Sequence, residues 1–205
     1  MNDHTKTFLI VAVVFSFLFM LLLKLLKEWK MRQLIQCLQK KDIVRFNKIV
    51  YSKIIKFLFP PYNIEYLKLN SALLENNKKE INKQFEKMFK YRLSHMQKKD
   101  LLMKAFNYYI TIGDDKHAKK VLNIIMQTDD DDLKKETEML YKILFENSSE
   151  YIDAMLKTLC DASEQDRPFV EYLLYHQYKN MNDKENSSLY KEKYMQHAKE
   201  LNIIF

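Results

Sequence analysis

From Phe8 to Leu23 the chain runs through sixteen apolar or small residues without a break, and Leu25 and Leu26 carry the run past Lys24. The nineteen residues from Phe8 to Leu26, Lys24 included, make a helical rod of about 28 Å, close to the hydrocarbon thickness of a bilayer. Beyond it the pattern changes. Apolar residues recur at intervals of three and four: Leu34 and Leu38; Phe46, Ile49 and Val50; Leu69 and Leu73; Leu102, Phe106 and Tyr109; Leu140, Ile143 and Leu144; Tyr172 and Tyr175. This spacing puts one apolar stripe on each of a series of amphipathic helices of about twelve to sixteen residues.

Polar clusters punctuate the helices: Lys40-Lys41-Asp42, Asn76-Asn77-Lys78-Lys79, Gly113-Asp114-Asp115-Lys116, Asn147-Ser148-Ser149 and Asn182-Asp183-Lys184. Their residues tolerate left-handed backbone or cap a following helix, so they read as turns. Counted from Lys40, Asn76, Gly113, Asn147 and Asn182, the intervals are 36, 37, 34 and 35 residues. A second set of breaks falls between them, at Pro60-Pro61, Ser94–Lys98, Thr128–Asp132 and Glu164–Pro168. A steady period with a turn inside each unit is the mark of stacked helical hairpins, each of which needs a neighbour to cover its apolar side. An irregular helical bundle is the plainer alternative.

The unit Lys99–Asp132 resembles the tetratricopeptide repeat family. Leu102, Ala105, Phe106, Tyr109, Gly113, Ala118 and Leu122 fall at that family's spacing for helix contacts, turn and small packing residue. Phe106 departs from it, standing where the family has a small side chain, and only the first unit has prolines (Pro60-Pro61) near the family's closing position. The apolar run and the resemblance together give an expected all-α chain: a transmembrane helix, read from the run, followed by an α-solenoid of about five such hairpins, which the resemblance implies. The resemblance also implies a groove along the first helix of each pair. There Asn70, Asn107, Tyr141 and His176 are expected to face a protein or peptide partner, with Tyr66, Lys104 and Tyr172 nearby. In some relatives asparagines and lysines at such places hold a terminal carboxylate; here the full basic set is missing.

Composition narrows the class. One glycine and three prolines in 205 residues exclude turn-rich β folds and every glycine-rich phosphate loop. The net charge of +7 is unevenly spread, with ten basic and two acidic residues between Lys24 and Lys56. Lys24, Lys27, Lys30 and Arg32, with Trp29 among them, are expected at the membrane surface after the span. The excess of basic residues on that side predicts a single-pass protein of the cell membrane with a cytoplasmic carboxy-terminal domain. Three segments follow: a transmembrane anchor over 7–26, a basic juxtamembrane hairpin over 27–60, and a repeat domain over 61–205.

Chemistry is sparse. The five histidines (His4, His95, His117, His176 and His197) have no metal-ligand spacing. Asp129-Asp130-Asp131-Asp132 lacks the alternation and the glycine of a calcium loop and reads as a helix amino terminus. Cys37 and Cys160 lie in helical apolar patterns and read as small core residues, and Phe85, Met88, Phe89, Met126, Met139, Phe145 and Met155 are expected in the same interior. No enzyme activity, metal, cofactor or nucleic-acid partner is expected. The expected function is a membrane-anchored adaptor or scaffold for a protein or peptide, the alternative a structural subunit of a larger membrane complex. The apolar ending Leu201–Phe205 is expected to pack across the last hairpin.

Overall fold

A computed structural model describes residues 3–201, with only the helical backbone for residues 3–7, 9 and 10. Every regular element among the described residues is an α-helix. They group into two compact units, residues 1–93 and 94–205. The first holds α1 (Asp3–Gln39), α2 (Ile43–Val50), α3 (Lys53–Leu58), α4 (Pro61–Leu74) and α5 (Lys78–Met88). The second holds α6 (His95–Thr111), α7 (Asp115–Ile125), α8 (Asp131–Phe145), α9 (Ile152–Asp161), α10 (Arg167–Asn180) and α11 (Lys184–Glu200).

One turn chemistry recurs in both units. Lys41, Asn76, Gly113 and Asn182 adopt φ of 53°, 51°, 66° and 61°. Each donates its N–H to the carbonyl three residues back (Leu38, Leu73, Ile110 and Lys179), and the next residue donates to the carbonyl five back. This doubled bond closes a helix on a left-handed residue. The following Asp42, Asn77, Asp114 or Asp183 then caps the next helix, its side chain accepting from the N–H of Arg45, Glu80, His117 or Asn186. Termination and initiation are thus written in two adjacent residues.

The α8–α9 turn differs. Asn147 is left-handed (φ 54°), but Ser148 N–H reaches back six residues to Lys142, and helix α9 starts only at Ile152. Side chains from α10 hold this longer loop. Asn180 Nδ2 donates to the carbonyls of Ile143 (2.8 Å) and Ser148 (2.9 Å), and Gln177 Oε1 accepts the Tyr151 N–H at 2.9 Å. Gln177 is fully buried, so that bond is made out of water.

Between pairs, Pro61 opens α4 at its first position, where a missing N–H costs nothing. Ser94 and Gln97 form a reciprocal capping box. That box starts α6 at His95, so the break expected over Ser94–Lys98 lies over 89–94 and meets the expected one only at Ser94. Asp130 caps α8, which places the acidic run at a helix amino terminus. The second helix of the first pair is split, because Ser52 caps a new start at Lys53.

In the first unit, Leu34 and Cys37 of α1 pack with Phe46 and Val50 of α2, Ile55 of α3, Phe59, and Ile64 and Leu67 of α4. Glu65 is buried beside them and holds Lys68 (3.0 Å) and Lys87 (2.9 Å), tying α4 to α5. In the second unit, Leu102 and Phe106 of α6 and Ala118 and Ile125 of α7 are fully buried, the small Ala118 letting the helices approach. Not every expected core residue is inside. Met126, at the carboxy-terminal cap of α7, and Cys160, on the outer side of α9, are exposed. The Cys160 thiol donates to the Leu156 carbonyl at 3.4 Å.

Helix α1 runs unbroken across residues 26 and 27. Its described apolar side chains from Val11 to Leu22 are mostly exposed, and exposure gives way to burial only from Leu34. Among the described residues no helix is long and apolar enough to cross a membrane. The side chains of Thr7, Leu9 and Ile10, part of the expected 7–26 span, lie outside the described residues, as do His4 and residues 202–205 of the expected docking tail.

Candidate functional site

The first helices of three successive pairs, α6, α8 and α10, line a groove of about 250 Å³ within the second unit. Its floor is apolar, made by Ile110, Leu140, Leu144, Phe169 and Tyr172; Asn107, Thr111 and Glu136 add the polar groups. The residues on α8 stand four apart, one ridge of that helix, and Asn107 and Thr111 repeat the spacing on α6. Thr111 Oγ1 donates to the Asn107 carbonyl (2.8 Å), so its hydroxyl is already satisfied. Phe169 remains 43% exposed, an unusual position for a phenylalanine beside an apolar floor. The volume lies below the roughly 300–1,000 Å³ of small-molecule sites and suits side chains of a peptide.

A ring cluster between α10 and α11 fixes Tyr172 at one end. Its ring centroid lies 4.6 Å from that of His176 and 5.5 Å from that of Tyr194, while Tyr175 meets His176 at 4.8 Å. Burial, reinforced by Lys179, pushes the His176 imidazole down to about 4, so it is neutral at pH 7. His176 is therefore a packed ring and supplies no positive charge to a partner.

Of the residues expected at the groove, Asn107 and Tyr172 line it. Tyr141 is buried with its hydroxyl donated to Asp115 of α7, and burial with that bond raises its phenol to about 12. Lys104 is half-buried on α6 and already partnered. Tyr66 and Asn70 lie half-buried on α4 in the first unit, Tyr66 with its ring 6.0 Å from that of Tyr62. Ile110, Thr111, Glu136, Leu140, Leu144 and Phe169 were not expected at the groove from sequence, although Leu140 and Leu144 were placed on an apolar stripe. The signal that marks most of them is the four-residue ridge on each first helix, one step round from the positions chosen.

The ionised group in the groove is an exposed acid, Glu136. Together with a neutral His176 and an engaged Lys104, it makes the groove a poor holder of carboxylates and a better one for a cation beside an apolar side chain. Two histidine–carboxylate pairs occur elsewhere. His117 Nδ1 lies 2.9 Å from the capping Asp114, its ring stacked on Tyr109; His197 Nδ1 lies 2.7 Å from the buried Glu171, joining α11 to α10. Neither lines the groove. Among the described residues no group of three or more His, Cys, Asp or Glu is placed to hold a metal ion.

In the first unit, Lys24, Lys27, Trp29, Lys30 and Arg32 occupy α1 directly after the apolar run. At 100° per residue they point in several directions, forming a collar. Lys30 Nζ sits 4.3 Å above the Trp29 ring, and Lys27 Nζ lies 5.6 Å from the ring of Phe59. Comparison of the chain with protein-family models, with characterised proteins and with solved structures gives no match.

Proposed function

We propose that this protein is a non-enzymatic adaptor whose helix pairs stack as tetratricopeptide-like repeats, held at the cytoplasmic face of a membrane by the amino-terminal half of α1. The observation that carries the recognition reading is the groove shared by α6, α8 and α10. It combines an apolar floor, an exposed Phe169 and an exposed Glu136, and it fits an extended peptide that places a Lys or Arg beside an apolar side chain. The anchor reading rests on α1. Its described exposed run, Val11 to Leu22, spans about 18 Å, and the apolar run of the sequence from Phe8 to Leu26 reaches about 28 Å. The basic collar stands where headgroups would meet it.

A displayed peptide library, selected on the full chain in nanodiscs, tests recognition. Enriched peptides are expected to pair an apolar residue with a basic one. Phe169→Ala is expected to weaken them about tenfold, a loss of about 1.4 kcal/mol, and Glu136→Lys to abolish the basic preference. Enriched peptides that bind both variants as tightly as the parent refute the groove reading. Topology has its own reporter: Cys160 is exposed and Cys37 buried. A membrane-impermeant maleimide should label Cys160 only after the cell membrane is permeabilised. Labelling in intact cells refutes the cytoplasmic placement.

A further inference from the structure

We propose that α3 is a second membrane contact: a short helix that lays Ile54 and Phe57 into the headgroup–acyl boundary of an anionic bilayer, with Lys53 and Lys56 on the lipid phosphates. The proposal rests on the anchor reading of α1 and adds a separate surface to it.

Helix α3, Lys-Ile-Ile-Lys-Phe-Leu, faces two ways. Ile55 is fully buried in the core of the first unit and Leu58 packs against the same core. Ile54 and Phe57, three residues apart and so on one face, are 49% and 75% exposed. A phenylalanine three-quarters in water, beside an exposed isoleucine on a helix that already has a core face, is a surface awaiting an apolar cover.

Placement identifies the cover. The chain descends α1 to the turn at Lys41 and returns through α2 and α3, so α3 ends beside the part of α1 nearest the apolar run. Met31 of α1 and Leu58 of α3 both pack against the core that holds Phe59, and Lys27 Nζ of α1 lies 5.6 Å from the Phe59 ring. Lys27 is four residues after Leu23, about 6 Å along the axis, which is interfacial depth if the run is in lipid. Charge agrees. Neither α2 nor α3 carries an acid, and between Lys24 and Lys56 ten basic residues face only Glu28 and Asp42. Such a basic surface favours anionic lipid over an acid-poor protein partner.

The test uses the full chain with a single tryptophan moved to the site, Trp29→Phe with Phe57→Trp, reconstituted in vesicles of phosphatidylcholine with or without phosphatidylglycerol and with brominated acyl chains. Position 57 is exposed, so the larger ring is accommodated. With phosphatidylglycerol present, the indole emission is expected to shift to the blue and to be quenched by bromine. Lys53→Glu with Lys56→Glu should lose most of that quenching while the chain still floats with the vesicles. A chain that floats but keeps water-like, unquenched indole emission overturns the proposal and leaves the anchor standing. So does emission shielded from aqueous iodide but not quenched by bromine, which places protein rather than lipid over α3. Failure of the chain to float at all overturns the anchor reading and α3 docking together.

Discussion

Gly113 offers the sharpest test of the hairpin geometry. Its φ is +66°, and a Cβ built there meets nothing within 4 Å, so replacing it costs backbone energy alone. An L-residue pays about 1–2 kcal/mol for left-handed backbone. Against that, alanine restricts the unfolded chain more than glycine, returning about 0.4–1 kcal/mol. Gly113→Ala should therefore destabilise the second unit by about 1 kcal/mol. Gly113→Asn should cost clearly less, because asparagine tolerates this region and stands at φ of 51°, 54° and 61° in three of the other turns (Asn76, Asn147 and Asn182). Gly113→Val should cost most, since a branched Cβ strains left-handed backbone. Urea unfolding followed by tyrosine near-ultraviolet dichroism reads the order. At about 1–3 kcal/mol per molar of urea, the alanine variant should lose about 0.3–1 M in midpoint. Lys41→Gly, the reverse change at a residue with no special tolerance for φ 53°, should be neutral to slightly stabilising. A valine variant as stable as the parent would refute the left-handed turn and, with it, the shared register of the helix pairs.

Two further predictions concern the second unit. Asn180→Leu removes two hydrogen bonds at similar volume, one to the last turn of α8 and one to the α8–α9 loop; a loss of about 2 kcal/mol is expected, with faster amide exchange confined first to residues 146–151, and unchanged exchange there would show that the loop holds itself. His176 ionises in the unfolded chain near its ordinary 6.5 but in the fold only near 4, so the unfolded state takes up a proton first as pH falls. Its contribution is complete above about pH 6.5, declines between 6.5 and 4 and is flat below, with an upper limit of about 3 kcal/mol, reduced by the part of the ring still in water. Urea midpoints of the parent and of His176→Phe at pH 7 and 5 should converge at neutral pH and separate in acid; parallel loss in both would assign the pH dependence to other groups.

Local chemistry made much of the fold legible before any coordinates. All five turns within pairs, at Lys40–Asp42, Asn76-Asn77, Gly113-Asp114, Asn147–Ser149 and Asn182-Asp183, carry a left-handed residue. Gly and Asn, which accept positive φ, fill that place in every turn but the first, and in four of the five an Asp or Asn next in sequence caps the following helix. The acidic run before Leu133 was equally readable, since carboxylates favour the positive end of a helix. The split at Ser52 was less so: Ser-Lys-Ile-Ile has a capping residue, yet the apolar spacing runs through it unchanged.

Which side of a first helix meets the groove was beyond the sequence. Tyr141 and Leu140 are adjacent and equally apolar in pattern, but Tyr141 turns to Asp115 on α7 while Leu140 takes the groove floor. That choice depends on the angle at which α8 lies between α6, α7 and α10, a property of packed side chains and not of periodicity. The same holds for His176, whose charge state follows from the tyrosines and helices around it. Sequence alone therefore determined the helical class, the turns within pairs and the apolar amino-terminal run, since propensity, capping and hydropathy act within a few residues. Tertiary structure alone decided which faces remain open, because exposure is set by neighbours far along the chain, as with Phe57 on α3 and Phe169 on α10.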